Sequence, residues 1–470
     1  GTGALDGFAV GDGAGNLTVF QPLSSGAGGT AIVGGKSINY TGMDPFNPLS
    51  GNNNQRVVTG TIFDRHMIVE DDPAIPGNMK VRFDKLTFSS GASSFSFASP
   101  AGSLTLDAGT GIDQINIVST DAAFAGSVLT FSLGVLAVTG TGTADSLTIR
   151  QTDRDISTVT LELVLDGAPA QSFRRVGELV VDTKAGTDVV QMLTTINVDV
   201  TLNGGGGSDT LTGPNEQVDW YLTGADAGSV GDADFHGFEF LRGGSAIDSF
   251  KIEDAGTLTG DIDGGAGSDN LISGDDDNTW ELSALNAGLL NGITFASLEN
   301  LIGGTGDDSY VLADGAGVSG IIDGGNDDDD DGDGVAEPEA DSIDYSAYTT
   351  AVTVNLGTSV ATGMSGFVAI DSFTGGTSDD DEVVGPAESS VLWNVTAEDE
   401  TEVLGVTFSD FQNLTGAANN TDAFVIAYGG LITGVVDGGT GGTDGLAFID
   451  VNDGTLAVNP SGADSSGTTD

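Results

Sequence analysis

The chain has 470 residues with 70 Asp and Glu against 13 Lys and Arg, a formal net charge of −57. It therefore has no basic face to neutralise phosphates, which excludes nucleic acid as a partner, and an anionic membrane surface repels it. No apolar run approaches the roughly 20 residues that span a bilayer, and the absence of cysteine excludes both a disulfide scaffold and a thiolate metal site.

Acidity of this kind ordinarily belongs to a solvated, unfolded chain. Here the mean hydropathy is +0.04, and Val, Ile, Leu and Phe fall in short, regularly spaced runs, so a folded chain is expected. Its natural partners are cations. The sequence starts at Gly1 rather than Met and reads as a processed chain or a piece of a longer one.

In chain order, residues 1–100 come first and differ from the rest. Six of the 13 basic residues lie between Lys36 and Lys85. The runs RVVTGTIFDRHMIVED (56–71) and MKVRFDKLTF (79–88) alternate like half-buried antiparallel strands. This N-terminal β element is expected to be a cap or assembly module, and its segment LTVFQPL (17–23) could add to a neighbour's sheet.

From residue 101 onward one motif recurs: an apolar pair, Asp or Gly, Gly, a small residue, Gly, any residue, Asp, then another apolar run. Copies stand at 104–117, 179–192, 200–213, 261–273, 301–312, 373–384 and 435–449. A first solenoid section is expected over 101–217. Trp220, Trp280 and Trp393 then head three longer units, 218–277, 278–388 and 389–451, and each Trp precedes a Gly by the same interval (Gly243, Gly303, Gly416). Asp248, Asp308 and Asp422 follow, and at one shared spacing after them comes the Asp of a DGG, namely Asp263, Asp323 and Asp437. Between Trp and Gly lie matching stretches, HGFEFLRGG, ASLENLIGG and SDFQNLTGA. Residues 452–470 read as a polar tail or linker.

Runs five to eight residues long that alternate or pair β-branched residues, bounded by Gly, Asn and Asp, are the signature of strands and turns. Only SALNAGLL (283–290) has a mild helical pattern. Repeats that cannot each bury a core are expected to stack. The fold class is therefore all-β, a β-solenoid resembling a parallel β-helix, built of degenerate Gly–Asp repeats with an N-terminal β element. The motif aspartates Asp188, Asp209, Asp269 and Asp308 stand at intervals close to multiples of 20. That spacing suggests a coil of about 20 residues with three short strands.

Two sets of residues suit Ca²⁺, the expected cofactor. The first is the inserted stretch Asp327–Asp341. Asp329, Asp331 and Asp333 followed by Gly334 place hard oxygen ligands at alternating positions with a glycine at the bend. The closing acid of an EF-hand is displaced, since Glu337, Glu339 and Asp341 surround Ala340. The second set is the repeated turn itself, Gly204–Asp209, Gly264–Asp269 and Gly303–Asp308. There Asp209, Asp269 and Asp308, with the DGG residues Asp263 and Asp323, could share a cation between stacked turns. The alternative reading of a turn Asp is an Asx-turn, with no metal.

The GG-x-G-x-D turns resemble the RTX, haemolysin-type calcium-binding repeats. Across 101–451 the blocks at 278–308 and 344–363 resemble repeat regions of large bacterial extracellular adhesin-like proteins. That resemblance implies secretion, a surface or matrix role and no catalytic residues. The tryptophans are expected in the core rather than on a sugar-binding face. His66 and His236 form no cluster, and no nucleophile–base or phosphate-loop motif occurs.

The function expected is that of a non-enzymatic extracellular or cell-surface structural protein. It would be a calcium-stabilised segment of a filament, matrix or surface layer, partnering other copies of itself head to tail. The alternatives are a monomeric surface adhesin binding glycans and a polysaccharide lyase- or epimerase-like enzyme. The enzyme would need a basic residue beside an acidic cluster. The basic group Arg150, Arg154, Arg174 and Arg175 stands apart from the acidic stretch in sequence.

Overall fold

A computed structural model describes residues 135–153, 159–167, 170–325 and 340–449, with the strand backbones lying between residues 17 and 134 and at Leu456–Ala457. Every regular element among the described residues is a β-strand, so the chain is all-β, with large sheets of mixed but mainly parallel pairing. The chain divides into two compact units, 1–220 with 224–245, and 221–223 with 246–470.

In the first unit, Leu17–Pro22, Gly28–Val33 and Lys36–Thr41 form an antiparallel meander. His66–Asp71 pairs antiparallel with Asn78–Asp84, which pairs in turn with Ser93–Ala98. These strands also join the chain beyond residue 100. Gln55–Thr59 runs parallel to Ser103–Asp107, and His66–Asp71 runs parallel to Gln114–Ile117. Sheet pairing thus crosses the composition change at residue 100 without a break.

Beyond that point the register repeats. Val189 pairs in parallel with Thr210 in the first unit, and Ser249 with Asn270 and Leu301 with Ile322 in the second; each partner lies 21 residues on. Other parallel partners lie 30 residues on, as Thr210 with Phe240, Asn270 with Asn300 and Trp280 with Tyr310. The added length is an antiparallel hairpin. Thr279–Ala284 turns through Asn286, at φ 58°, into Ala287–Leu290, and the chain continues into Ile293–Ala296. Val391–Ala397, Glu400–Val403 and Val406–Ser409 repeat the arrangement around Asp399, at φ 50°. The helical pattern over 283–290 is therefore a hairpin, because an Asn takes the left-handed turn conformation. The shorter interval belongs to parallel-paired strands with no hairpin between them.

Strands alternate buried and half-buried residues, with Leu, Ile, Val and Phe inward. Trp220, Trp280 and Trp393 are each at most 1% exposed. Trp280 stacks on Tyr310 with ring centroids 5.3 Å apart, and Trp393 on Phe424 at 5.1 Å. Each of these rings lies opposite its partner in the parallel register, so side chains at matching positions of parallel-paired strands pack together in the core. Stacked aromatic pairs add about 0.5–1.5 kcal/mol beyond area burial.

Candidate functional site

The repeated turn can be read atom by atom at residues 263–269. Asp263 ends the strand Asp261–Asp263, and its Oδ1 accepts the N–H of Gly265 at 3.1 Å, an Asx-turn. Gly265 has φ +90°, a conformation that favours glycine. Gly264 is glycine for a different reason. A Cβ there would lie 2.0 Å from the Ser297 carbonyl oxygen and 2.9 Å from Oδ2 of Asp269. The carboxylate of Asp269 thus folds back against the Cα of Gly264 inside the turn.

Asp269 is fully buried, and its Oδ1 accepts the N–H of Asp248, 21 residues earlier, at 2.8 Å. Its own N–H donates to Oε2 of Glu299, 30 residues later, at 2.8 Å. Through its carboxylate and its own main-chain N–H, Asp269 therefore ties together stretches 21 residues before it and 30 residues after it. The first unit repeats the pattern. Asn203 accepts from Gly205 at 3.2 Å, Asp209 accepts from the N–H of Asp188 at 2.8 Å, and Asp209 donates to Glu239 at 2.7 Å. Upstream in that column, Asp188 accepts the N–H of Asp145 at 2.7 Å.

A second column in the second unit contains Asp308 and Asp341. Asp308 accepts the N–H of Asn278 at 3.1 Å through Oδ1 and that of Gly304 at 3.0 Å through Oδ2. Its N–H donates to Asp341 at 2.8 Å, and the N–H of Asp341 donates to Asp371 at 3.1 Å. Asp323 forms the local Asx-turn to Gly325 at 3.3 Å, and its carbonyl accepts the Tyr310 hydroxyl at 2.9 Å. Burial, and after it the negative charges of Asp308, Asp341 and Asp323, push the pKa of that hydroxyl well up. Further on, Asp381 accepts from Val352 and donates to Gln412, and Asp422 donates to Asp444.

Burial dominates the electrostatics. It pushes the carboxyls of Asp209, Asp269, Asp323 and Asp381 above the usual range, and that of Asp308 to about 6. Neighbouring acids add to this, Asp188 and Glu239 at Asp209, and Glu299 and Asp263 at Asp269. Accepted N–H groups act in the opposite direction. The ion pairs Arg150–Glu162, Lys184–Asp182 and Lys251–Glu253 lie at the surface and touch none of these columns.

The residues expected to bind calcium are thus dispersed. Asp308 and Asp341 come together in one column, with Asp323 close to them around Tyr310. Asp269 and Asp263 share a second turn, and Asp209 lies in the first unit. Asp329, Asp331, Asp333, Glu337 and Glu339 lie outside the described residues. Within the described residues these carboxylates are hydrogen-bond acceptors for main-chain N–H groups. Among the described residues no three His, Cys, Asp or Glu side chains cluster together.

Sequence reasoning missed Glu239, Glu299, Gln412 and Asp371, which continue the columns. A signal was available, since Glu239, Glu299 and Gln412 occupy the same place in HGFEFLRGG, ASLENLIGG and SDFQNLTGA. Comparison with models of known protein families gave no match. A search of curated proteins found no relative either.

Proposed function

We propose that the chain is a non-catalytic β-solenoid scaffold, a structural segment of an extracellular or cell-surface assembly. The observation that carries this reading is the repeating parallel register at 21 and 30 residues, threaded by columns of buried carboxylates. Each column fixes the stagger of one coil on the next. A one-residue slip would remove the acceptor from a buried N–H and turn the apolar face outward. The acidic side chains that would otherwise be candidates for chemistry are committed to holding the stack.

In this reading calcium acts through the inserted stretch, with Asp329, Asp331, Asp333, Glu337 and Glu339 as its ligands. Offsetting part of a net charge of −57 would relieve self-repulsion of the compact state. The resemblance of the turns to haemolysin-type repeats supports secretion and a role outside the cell.

Calcium titration followed by calorimetry, together with a glycan array, tests the reading. Calcium uptake with a rise in melting temperature and no retained glycan is expected. Binding of one glycan class by the monomer would replace the scaffold with a surface adhesin.

A further inference from the structure

Two stretches of the second unit, 252–263 and 312–323, repeat one another and make the same turn. Gly256 donates to the carbonyl of Glu253 at 2.6 Å, and Ala316 to that of Ala313 at 2.8 Å. What lies over the two turns differs. Over the second, Tyr345 and Tyr348 are buried and pack edge to face with ring centroids 5.0 Å apart. The Tyr348 hydroxyl donates to the carbonyl of Ala316, and that of Tyr345 to the carbonyl of Thr362 at 2.8 Å. The two rings thus fill the space between the turn and the stretch 362–365.

Over the first turn small residues hold those places. Asp269 and Asp341 are counterparts, accepting the N–H of Asp248 and of Asp308, and at the same distance after them stand Ser273 and Tyr345. Asp275 donates to Oδ1 of Asp254 at 3.0 Å, and Thr349 to Oδ1 of Asp314 at 3.0 Å. The residues just before these two donors are Gly274 and Tyr348. The stretch 290–293 corresponds to 362–365, since Thr294 and Gly366 pair with Asp261 and Ile321. With serine and glycine in place of two tyrosines, a groove of about 340 Å³ opens between 252–258, 273–278 and 290–293. Small-molecule sites span roughly 300–1,000 Å³.

The lining of the groove selects the ligand. Its floor is apolar, with Ile252, Leu258, Leu290 and Ile293 all buried. Its rim carries Glu253, Asp254 and Asp276, which do not gather at one point. Lys251 pairs with Glu253 at 3.3 Å, while Asp254 and Asp276 make no ion pair among the described residues. Asn278, 4% exposed, fixes the shape: its Nδ2 donates to Oγ of Ser273 at 3.0 Å and to the Gly274 carbonyl at 3.1 Å, and its Oδ1 accepts from Asn291 at 2.8 Å. A groove held open in this way loses little free energy to ordering when it is filled. We propose that it binds a ring-bearing organic ammonium ion, of which a phenolic amine is the simplest. The ring lies on the apolar floor, where the other copy places a tyrosine ring, and the ammonium group faces the rim carboxylates. A bare metal ion would leave the floor unused, and an anionic ring would be repelled by the rim. The inference goes beyond the scaffold reading, which stands whether or not the groove is filled.

The test is calorimetric titration of the full chain with tyramine at low ionic strength, where screening is weak. Saturable uptake of one molecule per chain is expected. Ethylamine, which lacks the ring, and para-hydroxyphenylacetate, which carries the opposite charge, should each bind at least about tenfold more weakly, the scale of one buried ring. Asp276 is exposed, so Asp276→Asn should leave the melting temperature unchanged. It should weaken tyramine roughly fivefold, the scale of one nearby charge in water. Ser273→Tyr, which restores the residue of the filled copy, should abolish uptake; should that variant fail to fold, Asp276→Asn decides alone. Absence of tyramine uptake, or uptake that does not saturate at one per chain, overturns the proposal. So does ethylamine or para-hydroxyphenylacetate binding as well as tyramine, tyramine affinity unchanged in Asp276→Asn, or uptake that survives in a folded Ser273→Tyr chain.

Discussion

The indole N–H of Trp393 donates to Oδ1 of Asp422 at 3.0 Å, joining two buried residues 29 positions apart on parallel-paired strands. Trp393 also stacks on Phe424, its opposite in the parallel register. Trp280 stands at nearly the same distance before the buried Asp308, but its indole N–H has no hydrogen-bond partner among the described residues. At Trp393 the Trp-to-Asp spacing along the sequence thus corresponds to a hydrogen bond between two parallel-paired strands.

Trp393→Phe keeps an aromatic ring on Phe424 and removes only the donor and part of the packing. A hydrogen bond to a charged group contributes about 1.5–3 kcal/mol, so a loss of at least that size is expected in urea unfolding. The loss should shrink in an Asp422→Asn background, where the acceptor is neutral and the bond about half as strong. Equal losses in both backgrounds would assign the effect to packing alone.

Glycines of the same motif should differ sharply in tolerance. Gly264→Ala places a Cβ 2.0 Å from the Ser297 carbonyl oxygen, which forces backbone apart in a stacked coil. A cost of several kcal/mol, on the scale of severe overpacking, is expected. Gly142, with nothing within 4 Å of its Cβ position, should accept Ala within about 0.5 kcal/mol. Thermal melts of the two variants side by side check the assignment of the first motif glycine to close approach.

Much of this was legible in the sequence. Alternating Val, Ile and Leu runs bounded by Gly and Asp marked the all-β class, because period-two burial leaves a visible pattern. The shared Trp–Gly–Asp intervals marked homologous units, because core positions of stacked coils must recur. The hairpin that lengthens some coils was less visible, since Asn286 and Asp399 turn within runs otherwise read as continuous. The hydrogen bonds of the motif aspartates were partly readable, since Asp263 and Asp323 make the Asx-turns that their place suggests, whereas the N–H groups accepted by Asp209 and Asp269 leave no mark in the sequence. Asp209 and Asp269 have the residue type and spacing of a cation turn, and only the folded chain shows that their Oδ1 atoms accept main-chain N–H groups 21 residues back. Glu299 was hidden because an acid beside Asn300 reads as solvent-facing until the strand paired with it is known.

Acid should stabilise the fold. The Asp308 carboxyl titrates near 3.8 when unfolded and near 6 in the folded chain, chiefly through burial. A folded pKa raised above the unfolded one gives stability that is fully present below about pH 3.8 and is lost as pH rises through about 6. Asp209 and Asp269 shift in the same direction from the same cause. The melting temperature should therefore climb as pH falls from 7.5 to 5. Asp269→Asn should imitate the effect at pH 7.5 and flatten part of the slope. Its amide oxygen still accepts the Asp248 N–H, while its NH₂ replaces a buried oxygen, Oδ2, that has no hydrogen-bond partner. Asp308→Asn should bring no such gain, because its NH₂ would confront the N–H of Gly304. A melting temperature that falls on mild acidification would contradict the sign.

Calcium should act on the inserted stretch and not through the columns. With free calcium at about 100 times its dissociation constant, one site adds roughly 2.7 kcal/mol of stability by linkage, and an excess of chelator should remove it. Replacing Asp329, Asp331 and Asp333 together by Asn should abolish the calcium-dependent rise and leave the melting temperature in chelator unchanged. The column variant Asp209→Asn should keep the full calcium response, since its Oδ1 serves the N–H of Asp188 and lies far along the chain from the insert. A calcium response lost in Asp209→Asn and retained in the triple variant would move the cation into the turns. A melting temperature indifferent to chelator at low ionic strength would remove calcium from the account altogether.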